Sequence, residues 1–117
     1  MQNWGWGGGT MKDIFFDIDG VLTIETEGYS EREYANRTPN ERTIAMVNMF
    51  YHQNYKITLY TARHSEDREI TEYWLKKYEV KYHDLIFDKP HYDLLIDDKV
   101  MEFTEASLLI IDRIGRL

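Results

Sequence analysis

Short apolar runs flanked by polar residues recur along the chain and predict strands. IFFDI (14–18) and KITLY (56–60) are rich in β-branched and aromatic residues, which favour strands. DLIF (84–87) and DLLI (93–96) are shorter runs of the same kind and predict two more buried strands. We therefore expect four strands, separated by stretches with a different periodicity.

Helical signals fill the interval between the first two predicted strands. TPNE (38–41) has the composition of a capping box, with Thr38 as N-cap and Pro39 at the first helical position. Apolar residues then recur at helical spacing, so we expect a helix that ends at about His52.

Two more helices are predicted further along the chain. The first begins at Ser65 and ends at about Tyr78, and its aromatic residues, including Tyr73 and Trp74, are expected in the core. The second is a closing helix from Thr104, in the segment TEASLLIIDRIGRL.

The order of these elements predicts an α/β fold. Strands that alternate with helices favour a mostly parallel sheet inside a Rossmann-like three-layer sandwich. We expect a single domain over 11–117, because 117 residues suit one hydrophobic core. The prefix MQNWGWGGGT (1–10) belongs to no periodic pattern and is expected to be a disordered leader.

The composition narrows the class of protein. Hydrophobic residues make up 43% and aromatic residues 15% of the chain, as in globular rather than disordered proteins. The chain contains no cysteine, which excludes disulfides, thiolate metal sites and a cysteine nucleophile. No apolar run approaches the ~20 residues of a membrane span, and no signal peptide is recognisable. We expect a cytoplasmic protein without a membrane partner.

The charge argues against one class of partner. The formal net charge is −7, whereas a protein that binds phosphate backbones generally presents a basic face. Nucleic acid is therefore not expected as a partner.

Polar residues with reactive groups follow each predicted strand. The carboxyl ends of parallel strands meet at one edge of a sheet, where ligands bind, so these residues are expected to converge. They are Asp17, Asp19, Thr61, Arg63, Lys89, Asp97 and Asp98. Carboxylate oxygens are hard ligands, so the acidic residues predict a divalent-cation site, and magnesium with one open side suits a phosphate.

A phosphoryl-transfer site would explain why two carboxylates lie so close together. Asp17 would attack phosphorus and form an aspartyl-phosphate, which divides one difficult hydrolysis into two steps. Asp19 would donate a proton to the leaving oxygen and later activate water. Lys89 and the backbone N–H groups after Asp17 would neutralise the phosphate charge.

Four segments resemble the motifs of the haloacid dehalogenase (HAD) superfamily, in the same chain order. They are DIDGVLT (17–23), LYTAR (59–63), DKP (88–90) and IDDK (96–99). The resemblance implies a HAD-like fold and a magnesium-dependent phosphatase that hydrolyses a phosphomonoester through an aspartyl-phosphate.

The resemblance also implies a role for each motif residue. Asp17 is expected to be the nucleophile and Asp19 the acid and base. The expected phosphate binders are Thr61, Ala62, Arg63 and Lys89. The expected magnesium ligands are Asp17, Asp19, Asp97 and Asp98. Asp19 would bind through its backbone carbonyl, and Asp97 more directly than Asp98. His64 and His91 adjoin motif positions and are candidates for substrate contact.

The intervals between the first three motifs predict a protein without a cap domain. Each interval has room for about one helix and connecting chain. The polar segment TIETEGYSEREYANR (23–37) is the expected flap over the site, and a mobile surface loop is the alternative interpretation. Either this flap or a neighbouring subunit of a homo-oligomer would then cover the site. Because the four motifs lie outside the residues to be removed, shortening the flap between Glu25 and Asn36 is expected to loosen selectivity more than it lowers turnover of a small aryl phosphate.

The second half of the chain narrows the expected substrate. LKKYEVKYHDLIFDKPHYDLLIDDK (75–99) is similar to small HAD proteins associated with capsule and surface-polysaccharide biosynthesis. This similarity implies a small phosphorylated substrate such as a sugar phosphate.

Two alternatives use the same residues differently. A receiver-type signalling module also combines acidic pairs, threonine and lysine on a parallel sheet, but its acidic pair lies near the first strand and its acceptor aspartate in mid-chain. A HAD fold that has lost activity and binds a partner is the second alternative, and the presence of every motif residue argues against it.

Overall fold

A parallel three-stranded sheet organises the described part of the protein. The computed structural model describes residues 12–24 and 31–99, excepting the side chains of 31–33. The strands β1 (Asp13–Phe16), β2 (Lys56–Tyr60) and β3 (Asp84–Ile86) lie side by side in that order. Both strand pairs are parallel, which confirms the predicted α/β fold with a parallel sheet.

Helices occupy the connections between the strands. A 3₁₀ helix (Glu31–Asn36) and α1 (Glu41–His52) lie between β1 and β2. A second 3₁₀ helix (Ser65–Asp67) and α2 (Arg68–Lys77) lie between β2 and β3. Neither connection holds a cap domain in the described residues, and no described helix is long and apolar enough to cross a membrane.

The hydrophobic core joins β2 to both helices and to the turn after β1. Its buried members are Ile18, Leu22, Ile44, Met46, Val47, Phe50, Ile57, Leu59, Trp74, Leu75 and Val80. Full burial of an aliphatic side chain contributes roughly 1.5–3 kcal/mol each, so this cluster supplies most of the stabilisation of the described fold. The indole Nε1 of Trp74 donates to the Arg37 carbonyl over 2.8 Å, so the buried indole is satisfied.

The start of α1 differs from the prediction, whereas its end at His52 is confirmed. Asn40, not Thr38, is the N-cap, and its Oδ1 accepts a hydrogen bond from the Thr43 N–H over 3.3 Å. The Thr38 carbonyl instead accepts from the Ile24 N–H over 2.9 Å. Thr38 therefore belongs to an extended segment that pairs with the chain after β1, and this pairing delays the helix by two residues.

The second predicted helix is divided and buries fewer aromatic residues than expected. A 3₁₀ turn precedes α2, which begins at Arg68. Trp74 is fully buried as predicted, but Tyr73 is exposed, so its assignment to the core was wrong. The buried face of α2 is formed instead by Thr71, Trp74 and Leu75, because these residues share one side of the helix.

The predicted strand at 93–96 was wrong. This segment has no regular secondary structure, and Leu94 and Ile96 are 76% and 87% exposed. A short apolar run forms a strand only when its backbone groups pair with a neighbour, and this run pairs with no strand in the described residues. The expected closing helix from Thr104 and the expected leader at 1–10 lie outside the described residues.

Each α-helix is followed, directly after its C-cap, by a residue with left-handed backbone conformation. After α2, Glu79 has φ 56°, and its N–H donates to the Lys76 carbonyl over 3.1 Å. The Val80 N–H donates to the Leu75 carbonyl over 2.9 Å, which completes a Schellman motif. Asn54 after α1 adopts φ 70° in the same way. Glycine and asparagine suit this position, so Glu79 carries a conformational cost.

Replacing Glu79 with glycine is expected to raise the free energy of unfolding by about 0.5–1 kcal/mol. Glycine removes the steric cost of positive φ, and the change also removes a carboxylate from the negative end of the helix dipole. Urea denaturation is the measurement. Asn54→Gly is the control and should stabilise less, because asparagine tolerates this backbone better than glutamate. A less stable Glu79→Gly protein would contradict the argument.

Candidate active site

The turn after β1 presents Asp17 and Asp19 on one side of the sheet edge. Between them, Ile18 is fully buried, and its carbonyl accepts hydrogen bonds from three following N–H groups. Gly20 has φ 84°, which a residue with a Cβ atom adopts only at a cost, and this conformation tightens the turn. The fully buried isoleucine thus lies between two partly exposed aspartates, an alternation that the sequence also shows.

Asp17 contacts a cation and a backbone donor. Its Oδ2 lies 3.0 Å from Nζ of Lys89, and its Oδ1 accepts a hydrogen bond from the Ile18 N–H over 2.8 Å. The Asp17 side chain remains 38% exposed, so a substrate can reach this carboxylate. Lys89 therefore lies at the site, where the motif resemblance assigned it.

Asp19 pairs with a different cation. Nε of Arg63 donates to Oδ2 of Asp19 over 2.9 Å, and Nη2 donates to Oδ1 over 2.7 Å. Such a bidentate pair is the strongest geometry between a guanidinium and a carboxylate. Each carboxylate thus has its own cation, which offsets the repulsion between two aspartates that are close together in the sequence.

Arg63 is enclosed by contacts that sequence reasoning missed. Its side chain is only 1% exposed, and its Nη1 donates to Oγ1 of Thr71 over 3.0 Å. The ring of Tyr34 lies against it, with the guanidinium carbon 3.8 Å from the ring centroid. The sequence shows Tyr34 only as an aromatic residue within a polar flap, and no periodicity connects it with Arg63.

Backbone hydrogen bonds bring the second and third motifs together. The Thr61 N–H donates to the Ile86 carbonyl, and the Lys89 N–H donates to the Thr61 carbonyl, each over 2.9 Å. The Asp88 N–H donates to the Arg63 carbonyl over 2.8 Å. These bonds hold the loop after β3 against the loop after β2. The two loops carry the four candidate phosphate binders, of which Lys89 contacts Asp17 and Arg63 contacts Asp19.

Two candidate residues of these loops differ in accessibility. Thr61 is buried, and its Oγ1 accepts a hydrogen bond from the Arg63 N–H over 3.1 Å. Ala62 is exposed between them. At the outer side of the loops, Nδ1 of His64 lies 3.1 Å from Oδ1 of Asp88, so His64 lies beside the site, as its position in the sequence suggested.

The Asp97–Asp98 pair does not join the other acidic residues in a metal-binding group. Both residues are exposed, and Oδ1 of Asp97 accepts a hydrogen bond from the Lys99 N–H over 2.8 Å. The described residues contain no cluster of three or more acidic or histidine side chains that could hold a metal ion. The assignment of Asp97 and Asp98 as magnesium ligands stays a prediction.

The chemistry of Asp17 suits a hard cation even so. Carboxylate and carbonyl oxygens are the ligands that magnesium prefers, and Asp17 supplies an accessible carboxylate at the carboxyl edge of the sheet. The Asp19 side chain is held by Arg63, and the expectation that this residue would offer a cation its backbone carbonyl stays a prediction.

Comparison with protein families decides the affiliation of the chain. A family model of HAD type that describes the phosphatase domain of polynucleotide kinase PNKP matches residues 11–103. The chain belongs to this HAD family. Membership assigns the HAD protein a phosphatase-type activity in general terms, and it confirms the superfamily that the four motifs indicated.

Solved structures with a similar fold include complete and partial matches to the HAD protein. A structural genomics target from Vibrio cholerae is 26% identical, with a TM-score of 0.71, and the match covers 91% of this chain and 95% of that chain. A chain of the Pnkp1/Rnl/Hen1 complex is 21% identical, with a TM-score of 0.59 and coverage of 91% and 36%. A chain of the Pnkp1/Rnl/Hen1 RNA repair complex is 23% identical, with a TM-score of 0.57 and coverage of 89% and 32%.

These matches differ in what they establish. The HAD protein spans about a third of each of the two chains from the complexes, and their identities establish the fold alone. A comparison with curated protein sequences found no significant match. The similarity to proteins of capsule biosynthesis remains an interpretation of the sequence.

Proposed function

We propose that the protein is a magnesium-dependent phosphatase that hydrolyses a small phosphomonoester through an aspartyl-phosphate on Asp17. The observation that carries this proposal is the contact of 3.0 Å between the Asp17 carboxylate and the Lys89 ammonium at the carboxyl edge of the sheet. A nucleophile beside a cation can receive a phosphate ester, because the cation binds phosphate oxygens while the carboxylate faces phosphorus.

The proposed reaction consists of two displacements at phosphorus. In the first, an oxygen of Asp17 bonds to phosphorus, and the bond between phosphorus and the ester oxygen breaks. The leaving oxygen takes a proton from Asp19. In the second, a water oxygen bonds to phosphorus, the bond between phosphorus and the Asp17 oxygen breaks, and Asp19 accepts a proton from that water. The products are inorganic phosphate and the free carboxylate of Asp17.

The acid–base role of Asp19 involves its pairing with Arg63. Both Asp19 oxygens accept hydrogen bonds from the guanidinium, so a proton on Asp19 competes with one of these bonds. In the proposed cycle, substrate binding draws one Arg63 donor toward a phosphate oxygen and frees one Asp19 oxygen to carry the proton. Arg63 would then contribute to phosphate binding, as its motif position indicated.

The proposed magnesium ion would be held by Asp17, by the backbone carbonyl of Asp19 and by Asp97, with Asp98 further away. When bound, magnesium would polarise the phosphoryl oxygens and neutralise charge in the transition state. Lys89 would supply part of the same neutralisation, because its ammonium lies against Asp17.

The substrate class has one leading and one secondary candidate. The leading candidate is a small ester such as a sugar phosphate, which suits a chain of net charge −7 and the similarity over 75–99. The secondary candidate is a phosphate at the end of a polynucleotide, favoured by the name of the matching family. A cytoplasmic setting and a neighbouring subunit over the site remain predictions from the sequence.

An assay of phosphate release tests the proposal. The purified protein with magnesium is expected to release phosphate from p-nitrophenyl phosphate, and removal of the metal with EDTA should lower the rate by about 100-fold or more. The same assay on sugar phosphates, nucleotides and an oligonucleotide with a terminal phosphate ranks the two substrate classes by kcat/KM.

The outcomes separate the alternatives. Higher kcat/KM for the oligonucleotide than for every small ester would replace the leading substrate class with the secondary one. Absence of phosphate release from all esters in the presence of magnesium would contradict the phosphatase proposal and favour the HAD fold as a binding protein.

A further inference from the structure

Tyr34 makes a buried contact with the arginine of the site. Its ring lies with the centroid 3.8 Å from the guanidinium carbon of Arg63, and Tyr34 itself is only 7% exposed. A guanidinium attracts the face of an aromatic ring, and this cation–π attraction is stronger when water is excluded. Because Tyr34 and Arg63 are both buried, the cation–π attraction between them is stronger than that of an exposed pair.

The hydrogen bonds of Arg63 and its contact with the Tyr34 ring restrain the guanidinium in different directions. Donors on all three guanidinium nitrogens bond to Asp19 and Thr71. These hydrogen bonds lie close to the guanidinium plane, so they orient the group within that plane. The ring of Tyr34 covers a face of the plane, and this contact restrains motion out of it.

Tyr34 is itself held by contacts that do not involve Asp19. It belongs to the 3₁₀ helix Glu31–Asn36, and the carbonyl of the following Arg37 accepts the Trp74 indole N–H. The guanidinium carbon of Arg37 lies 5.1 Å from the Tyr34 ring centroid. The ring thus contacts Arg37 as well as Arg63, and neither contact depends on the hydrogen bonds of Asp19.

We infer that Tyr34 is a positioning residue that keeps the Arg63 guanidinium oriented toward the Asp19 carboxylate during proton transfer. The inference rests on the proposed phosphatase function and deepens it. Without the ring, the guanidinium gains water on one face and additional rotamers, so the Arg63–Asp19 pair forms for a smaller fraction of the time. Proton donation to the leaving oxygen is the step expected to lose most, because both oxygens of Asp19 are held by Arg63. A weaker contact between Arg63 and the phosphate would slow all esters alike, so it does not change the ratio of their rates.

The test compares esters that need proton donation to different degrees. An alkyl phosphate has a poor leaving group and depends on the acid, whereas p-nitrophenolate leaves without much protonation. In Tyr34→Met, kcat/KM for the alkyl ester is expected to fall about 10- to 30-fold, against about threefold or less for p-nitrophenyl phosphate. Tyr34→Phe keeps the ring, whatever its hydroxyl contacts, and should remain within about threefold for both esters.

Tyr73→Leu is the matched control, since Tyr73 is exposed on α2 and should leave both rates unchanged. An equal fall on both esters in Tyr34→Met, or a fall in Tyr34→Phe as large as in Tyr34→Met, would overturn the inference. The same holds if the ratio of kcat/KM for the two esters in Tyr34→Met equals that of the wild type.

A measurement without substrate separates this inference from the phosphatase proposal. The Nε–H of Arg63 is expected to give a slowly exchanging signal in ¹H–¹⁵N spectra of the wild type and Tyr34→Phe, and to exchange at least tenfold faster in Tyr34→Met. Absence of phosphate release by the wild type would defeat the proposed function, whereas the restraint of Arg63 by Tyr34 would still be measured by this exchange rate. An Arg63 signal that is unchanged in Tyr34→Met would defeat the positioning role.

Discussion

Replacing Asp17 with asparagine is expected to lower kcat for p-nitrophenyl phosphate by on the order of 10³-fold or more. The amide has nearly the shape of the carboxylate but cannot supply the oxygen nucleophile. The substitution also removes the negative charge that lies 3.0 Å from Nζ of Lys89. Because Asp17 is partly exposed, losing this ion pair should leave the fold intact. Phosphate release in magnesium is the measurement, with a urea denaturation curve to establish that the variant is folded.

Asp84→Asn is the matched control for this substitution. Asp84 is an exposed aspartate at the start of β3, at the other end of the strands, where its Oδ2 lies 3.1 Å from Nζ of Lys56. Asp84 raises the pKa of the Lys56 ammonium through their hydrogen bond, so the control also removes an ion pair. Turnover in Asp84→Asn should equal that of the wild type. Undiminished turnover in Asp17→Asn would remove the nucleophile assignment and most of the proposed mechanism.

Replacing Arg63 with alanine is expected to lower the free energy of unfolding by about 2–4 kcal/mol. The substitution leaves the partly buried Asp19 carboxylate without its guanidinium, removes a donor from Thr71 and uncovers the ring of Tyr34. Activity should fall as well, because Asp19 loses the group that orients it. Urea denaturation measures the first effect and phosphate release the second.

Two further variants make the Arg63 test specific. Arg63→Lys retains the charge but cannot form the bidentate pair, so it should recover only part of the lost stability. Arg68→Ala on α2 removes an exposed arginine that lies 3.5 Å from Glu72 and 4.7 Å from the ring centroid of Phe87, and it should cost about 1 kcal/mol or less. If Arg63→Ala unfolds at the same urea concentration as the wild type, the Arg63–Asp19 pair contributes nothing to the fold.

The contact between Tyr34 and Arg63 changes what is expected of the flap. From the sequence, the segment 23–37 is an adjustable lid whose shortening affects selectivity more than turnover. In the structure, Tyr34 belongs to this segment and packs on a motif residue. Shortening that removes Tyr34 should therefore also slow esters with poor leaving groups, whereas selectivity alone should change when the Tyr34 ring is kept.

Local signals explain which elements the sequence predicted well. Strand β2 contains Ile57, Thr58 and Tyr60, which favour strands, and α1 combines a polar start with repeated apolar positions, so both were found. The start of α1 was missed by two residues, because the pairing of Thr38 with Ile24 competes with the capping box. The run at 93–96 was misread, since a short apolar segment carries no information about whether a partner strand lies beside it.

The sequence by itself determined the fold class, the family and the location of Asp17, Asp19, Thr61 and Lys89 after the predicted strands. Each motif is a short run of consecutive residues, so it can be recognised without knowledge of the tertiary structure. Only the tertiary structure decided which cation pairs with which carboxylate. Arg63 and Asp19 are separated by 44 positions, and Tyr34 reaches Arg63 from a third segment. Pairings across such distances depend on how the connections cross the sheet edge and which loops the backbone hydrogen bonds join. No local pattern in the chain records that packing.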